Sequence, residues 1–278
     1  MTTRTVTSVL HGQPTSDGAG VKLTRVLDPR QARTFDPFLM LDEFRSDEAA
    51  DYIAGFPPHP HRGFETVTYM LAGRMKHKDN KGNEGDLGPG GVQWMSAARG
   101  IVHEERPQQD QGLMWGYQLW VNLPSTDKMG EPWYDDIETS RIKTKVLPGG
   151  GSVRVIAGEF DGVRGAVRPR PSEVLYLDVD LPPNASILVA APMGHTALVH
   201  GVAGALFVGI DRRAIAAREC AVLSREGDIV VATGAAPGRA LVLAGKPFGE
   251  AIAHYGPFVM NTQAQLRQAI DDYQNGRM

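Results

Sequence analysis

The sequence predicts an all-β protein, and three observations carry that prediction. Short runs rich in Val, Leu, Ile, Phe and Tyr recur at intervals of roughly 10–15 residues, with Gly, Pro and Asp between them, the pattern of a β-sandwich or barrel. Glycine occurs 32 times, enough to supply the many tight turns of such a fold. Strand-like and helix-like segments do not alternate, and no long helix precedes the C-terminus.

Taken in order, the strand-like runs lie at 66–71, 118–121, 153–156, 174–177, 186–189, 205–208, 229–231 and 241–243. Residues 123–132 (LPSTDKMGEP) read as a loop, and strand signals resume near Arg141. This places a domain boundary around residue 140, with one domain over 1–140 and a second over 141–278. Both parts share a loose pattern of strand, glycine and strand leading to a Gly-Asp turn, at Gly85-Asp86 and Gly227-Asp228, consistent with two related barrels. The last segment differs. Asn261 or Thr262 can cap a helix in which Leu266, Ala269, Ile270 and Tyr273 recur at helical spacing before Gly276. Its apolar stripe is expected to dock on the body of the protein, in a structural role.

Composition narrows the function classes. A formal charge of −3 gives no general attraction to nucleic acid or to an anionic membrane. The densest basic stretch, Arg164 to Arg170 with three arginines, reads as a solvated loop. Cys220 is the single cysteine, which excludes an intramolecular disulfide and a thiolate metal cluster. The N-terminal residues lack the continuous apolar core of a secretory signal, and no run approaches the roughly 18 apolar residues of a membrane span. A cytoplasmic location is expected.

The chemistry is concentrated in a histidine pair, His59-Pro60-His61, answered further along by His103-Glu104-Glu105. Residues two apart on a strand point to the same face. His59 and His61 can therefore converge, as can His103 and Glu105, while Glu104 points away. Two such strands side by side offer three imidazoles and a carboxylate to a transition metal. Glu65 is a rival carboxylate, an even number of residues from His61. Pro60 and Gly63 make parity across that stretch unreliable, so spacing does not separate Glu65 from Glu105. The remaining histidines, His11, His77, His195, His200 and His254, are isolated and read as structural or exposed.

These residues and their surroundings resemble the pirin family of cupins. The resemblance lies in FPPHPHRGFETV at 56–67, PGGVQWM at 89–95 continuing through ARGIVH at 98–103, QLWVNLP at 118–124 and YGPFVMNT at 255–262, so it runs nearly end to end. It implies a bicupin, two cupin (jelly-roll) β-barrels in one chain with a short C-terminal helix, the N-terminal barrel carrying iron. The family's four ligands fall on His59, His61, His103 and Glu105, which favours Glu105 over Glu65 by resemblance. The cupin pattern His-x-His-x3-Glu is present, whereas Pro-x-Gly-x2-His has lost its proline to Ala98 and kept His103. Glu104 stands where relatives usually carry a small residue and is expected to be exposed. The C-terminal part has no His-x-His, and His195 and His200, five apart, match neither a strand face nor a helix turn. It is expected to lack a metal and to provide support or a partner surface.

The resemblance further implies quercetin 2,3-dioxygenase activity, opening the central ring of a flavonol with O2 to give carbon monoxide and a depside. Three histidines and Glu105 leave up to two positions of an octahedral ion for substrate, water or O2. Fe(II) is favoured by resemblance, while the residues alone accept Mn, Co, Ni or Cu equally. Glu105 is the expected base for the flavonol 3-hydroxyl proton. Phe56, Phe64, Trp94 and Met95 flank the ligands, either as walls of a flat apolar pocket or as barrel core. A competing reading makes the chain a metal- or redox-dependent regulator acting through protein partners, with no dedicated catalysis. A basic strip near Arg164–Arg170 favours the regulator, and an enclosed aromatic cavity over the metal favours the enzyme. A cupin sugar isomerase is a third possibility, for which no phosphate-clamping basic cluster is present.

Overall fold

The computed structural model describes residues 2–278, which form two mostly β units. One comprises Gln13–Thr139 with Phe248–Met278, the other the segment ending at Gly12 with Ser140–Pro247. Each is built from a seven-stranded and a four-stranded antiparallel sheet. In the first, the long sheet runs Trp133–Ile137, Val92–Ser96, Phe64–Ala72, Met114–Asn122, Phe38–Ser46, Val21–Leu27, Gln13–Asp17. In the second the order is Val6–His11, Glu219–Leu223, Thr196–Ala203, Gly238–Gly245, Leu175–Leu181, Ser152–Ala157, Thr144–Val146. The two orders correspond position for position, which is the two-cupin architecture expected.

The compact units are not the two halves of the sequence. The edge position that Trp133–Ile137 fills in one long sheet is filled in the other by Val6–His11, which pairs with Glu219–Leu223. The expected 1–140 domain therefore gives its first strand to the other unit, and the terminal helix expected in 141–278 belongs with the first. The strand Trp133–Ile137 was also not expected, because its Tyr134-Asp135-Asp136 lacks an apolar run. Its backbone pairs along one side only, and four of its five residues are half-buried.

Burial follows position in the sheet. Phe64–Met70 is buried throughout, because its strand is central between Val92–Ser96 and Met114–Asn122. The four-stranded sheet of this unit runs Phe56–His61, Ile101–Pro107, Met75–Asp79, Glu84–Leu87. Its Met75 and Leu87 pack with Val21, Leu23, Phe44, Met70 and Met114 of the long sheet, so the two sheets enclose a common core. Phe56–His61 carries three prolines and lies at the sheet edge, the place where a missing N–H costs no ladder bond. Gly63 follows it with φ +88°, and a Cβ there would lie 2.0 Å from the Val259 carbonyl oxygen.

Two buried cations secure the segment that returns to this unit. In the 123–132 loop, Lys128 is buried and its Nζ donates to Gly63 O and Asn122 Oδ1 at 2.7 Å and to Val259 O at 3.0 Å. Burial pushes its pKa down to about 7, while three acceptors favour the ammonium that supplies all three protons. Lys128→Met leaves those acceptors unpaired and is expected to cost about 3 kcal/mol or more in urea unfolding. An unchanged midpoint would show that the loop relaxes to water.

The helix Gln263–Gln274 begins with a full capping box between Thr262 and Gln265 and buries Leu266 and Ala269. Tyr273, expected on the docking stripe, is 40% exposed. The helix is held instead by Asp272, whose Oδ2 accepts from the buried Arg62 at 2.8 Å. Arg62 holds the Asp272 pKa down to about 2, below the roughly 3.9 of an unfolded aspartate. A depressed carboxylate stabilises fully above its unfolded pKa and loses that contribution as pH falls through the folded one. Stability is therefore expected to drop between about pH 4 and 2 by an amount that Asp272→Asn removes. Parallel acid-titration curves for the two proteins would count against this pair.

Candidate metal centre

The centre is built on one face of the four-stranded sheet. His59 lies opposite His103 and His61 opposite Ile101 across the antiparallel pair Phe56–His61 and Ile101–Pro107. Strand parity brings the three imidazoles together with ring centroids 4.7 Å (His59–His61), 4.4 Å (His59–His103) and 5.0 Å (His61–His103) apart. One nitrogen from each falls within 4.8 Å of the others, the one grouping suited to a metal ion among the described residues.

The donor atoms fit a cation. Nδ1 of His59 lies 2.8 Å from Pro57 O, and a carbonyl can only accept, so this nitrogen carries the proton and Nε2 presents a lone pair. That lone pair faces Nε2 of His61 at 3.1 Å, and the buried Nε2 of His103 has no hydrogen-bond partner. Burial and their mutual repulsion hold His61 and His103 well below the usual histidine pKa, and burial lowers His59. Three converging imidazole nitrogens, with that of His103 unpartnered, suit a borderline divalent metal.

The carboxylates are placed differently. The register of the Phe56–His61 pair slips between His103 and Glu105, and Glu105 stands opposite Phe56. It shares the histidine face but lies outside the 4.8 Å grouping. Its Oε1 is 3.4 Å from Thr68 Oγ1 and 3.4 Å from His77 Nδ1, while Thr68 Oγ1 donates to Gln118 Oε1 at 2.6 Å. Burial pushes Glu105 up to about 7, opposed by hydrogen bonding to Thr68 and Gln118. Glu65 is also buried, but Trp94 Nε1 donates to its Oε2 at 3.0 Å. Glu104 is half-buried, not exposed as expected, and pairs with Arg106 at 2.9 Å.

A cavity of about 550 Å3 opens beside His59, His61 and Glu105. Phe44, Phe56 and Trp120 give it aromatic walls, and Met40 and Met75 add apolar ones. Of the four flanking apolar residues, Phe56 lines it. Phe64 instead packs on His61 with centroids 5.1 Å apart, and Trp94 and Met95 are core. Thr68 and Gln118 add polar groups beside Glu105, and Arg25 is held by Asp42 at 2.9 and 2.7 Å. His77 was expected to be isolated and is buried against Glu105. Its signal was the alternation of Met75 and His77 with Lys76 and Lys78, which puts the first two on the inner face.

In the other unit His200 is buried opposite Cys220, and apolar residues from both sheets fill the core. Arg164 and Arg168 are exposed, with Arg164 paired to Glu159 at 3.1 Å. No helix among the described residues is long and apolar enough to cross a membrane.

Comparison with known proteins agrees with this architecture. The Pirin family profile matches residues 20–121, and that of the Pirin C-terminal cupin domain matches 176–278. A pirin-like protein of Caulobacter vibrioides is 50% identical over 280 residues, covering 100% of both chains. The crystal structure of a quercetin 2,3-dioxygenase from Acinetobacter baumannii superposes with a TM-score of 0.90 at 36% identity, covering 99% of this chain and 98% of that one. A bacterial pirin from Escherichia coli in complex with nickel(II) shares the fold at 17% identity, with a TM-score of 0.65 over 86% of this chain and 98% of that one. With two matching cupin units and a relative identical at half of all positions from end to end, the chain belongs to the pirin family.

Proposed function

We propose that the protein is a metal-dependent dioxygenase that cleaves flavonols such as quercetin with O2, giving a depside and carbon monoxide. The observation that carries this reading is the His59, His61, His103 cluster opening onto an aromatic-walled cavity that also contains Glu105. The cavity volume lies within the roughly 300–1,000 Å3 of small-molecule sites, and its aromatic walls suit a polyphenol. The similar Acinetobacter baumannii dioxygenase supports the same substrate class.

His59, His61 and His103 would hold the ion, with Glu105 as a fourth ligand, and Fe(II) is the proposed metal. The same donor set accepts other divalent ions, including Mn, Co, Ni and Cu. A bound Fe(II) supplies the electronic route between O2 and the substrate and lowers the cost of negative charge on the substrate oxygen. The chain's own groups do the rest. Phe44, Phe56 and Trp120 orient the rings, and burial keeps bulk water from competing. Glu105, buried beside the cluster, takes the flavonol 3-hydroxyl proton onto its carboxylate. The aromatic-walled cavity beside the cluster supports the enzyme over the partner-binding regulator, since a scaffold needs no such site.

The test is quercetin consumption with carbon monoxide detection, by protein loaded anaerobically with Fe(II) and then given O2. Turnover with carbon monoxide release is expected. Absence of turnover with one metal bound per chain would overturn the reading in favour of the regulator.

A further inference from the structure

A fourth histidine shares the face of the metal cluster. Across the pair Ile101–Pro107 and Met75–Asp79 the register is continuous, and His77 stands directly opposite Glu105. It is 2% exposed, and neither of its ring nitrogens makes a hydrogen bond. Its Nδ1 stands 3.4 Å from Glu105 Oε1, slightly too far for a good bond and within reach of a small ring rotation. It lies outside the group of nitrogens that can share one ion. A buried imidazole with no partner is costly, and this one stands beside the carboxylate next to the cluster.

We infer that His77 is the positioning residue for Glu105, its Nδ1–H holding Oε1 so that the carboxylate keeps one orientation toward the three histidines. The inference rests on the reading of Glu105 as ligand and base. A neutral ring carries one proton, and an ionised carboxylate can only accept. The proton must therefore sit on Nδ1. Thr68 Oγ1 is nearer to Gln118 Oε1, at 2.6 Å, than to Glu105 Oε1, at 3.4 Å, so it is the weaker partner of the carboxylate. Outer partners that orient a metal-site group typically contribute about 10- to 100-fold in affinity or activity.

The test compares wild type, His77→Asn and His77→Leu. Asparagine can put a donor where Nδ1 was, and leucine fills the space without one. In wild type free of metal at alkaline pH, nitrogen NMR is expected to show the Nδ1-protonated ring, and an Nε2-protonated ring would overturn the inference. Loaded with Co(II) alone, all three should bind one ion per chain. His77→Leu should change the visible cobalt bands and His77→Asn should keep those of wild type. Identical bands in wild type and His77→Leu would also overturn it. In quercetin turnover, His77→Leu should lose about 10- to 100-fold in kcat with KM little changed, and His77→Asn should recover most of it. If wild type turns over no flavonol, the dioxygenase reading fails alone, and the NMR and cobalt readouts still decide the role of His77.

Discussion

His61→Ala is expected to lose the bound metal and all flavonol turnover while keeping the fold. His61 is buried, 3% exposed, with Phe64 and Trp120 packed on its ring at centroid distances of 5.1 and 5.3 Å. No neighbouring side chain can deliver a substitute nitrogen to the point where Nε2 meets that of His59. Structural zinc sites with four ligands bind with about 10–16 kcal/mol, so one lost imidazole is worth roughly 3 kcal/mol, more than 100-fold in affinity. The fold should survive, because the cavity left by the ring costs about 2 kcal/mol, and the deletion also removes a buried Nδ1 without a partner. Metal content by mass spectrometry and a melting curve of the metal-free protein separate the two effects. A variant that still binds one ion per chain and turns over quercetin would sink the site assignment.

The histidine cluster was legible because a strand has a period of two, so His-x-His on an edge strand is a pair by construction. The central strands were legible for a related reason, since burial on both faces writes a continuous apolar run. Three features were not. Trp133–Ile137 is a polar edge strand, and its pairing is decided by a backbone row that any side chains can occupy. Val6–His11 has the look of a strand, but nothing local states which sheet receives it. The position of Glu105 depends on a one-residue slip in register between His103 and Glu105, which parity counting cannot foresee. The choice between Glu65 and Glu105, taken from the resemblance, involves partners distant in sequence that spacing does not state. Trp94 engages Glu65, while Thr68 and His77 leave Glu105 beside the cluster.

That choice sets the second large effect. Glu105→Gln is expected to cut quercetin turnover by about 100-fold or more, the typical weight of a positioned general base. Metal content should fall much less, because His59, His61 and His103 remain. Glutamine keeps the size of the side chain and an oxygen that can accept from His77, so packing is little altered. What it lacks is the ability to take a proton and the charge that draws a cation. If metal content falls in proportion to turnover, Glu105 acts mainly as a ligand. Glu65→Gln is the informative control, since both carboxyl groups are buried and both substitutions replace one with an amide. The Trp94 Nε1 proton can still meet the amide oxygen that Glu65→Gln leaves in place of the carboxylate, so turnover is expected to change little. The reverse order, with Glu65→Gln the more damaging to turnover, would move the proton transfer to Glu65 and overturn the role given to Glu105.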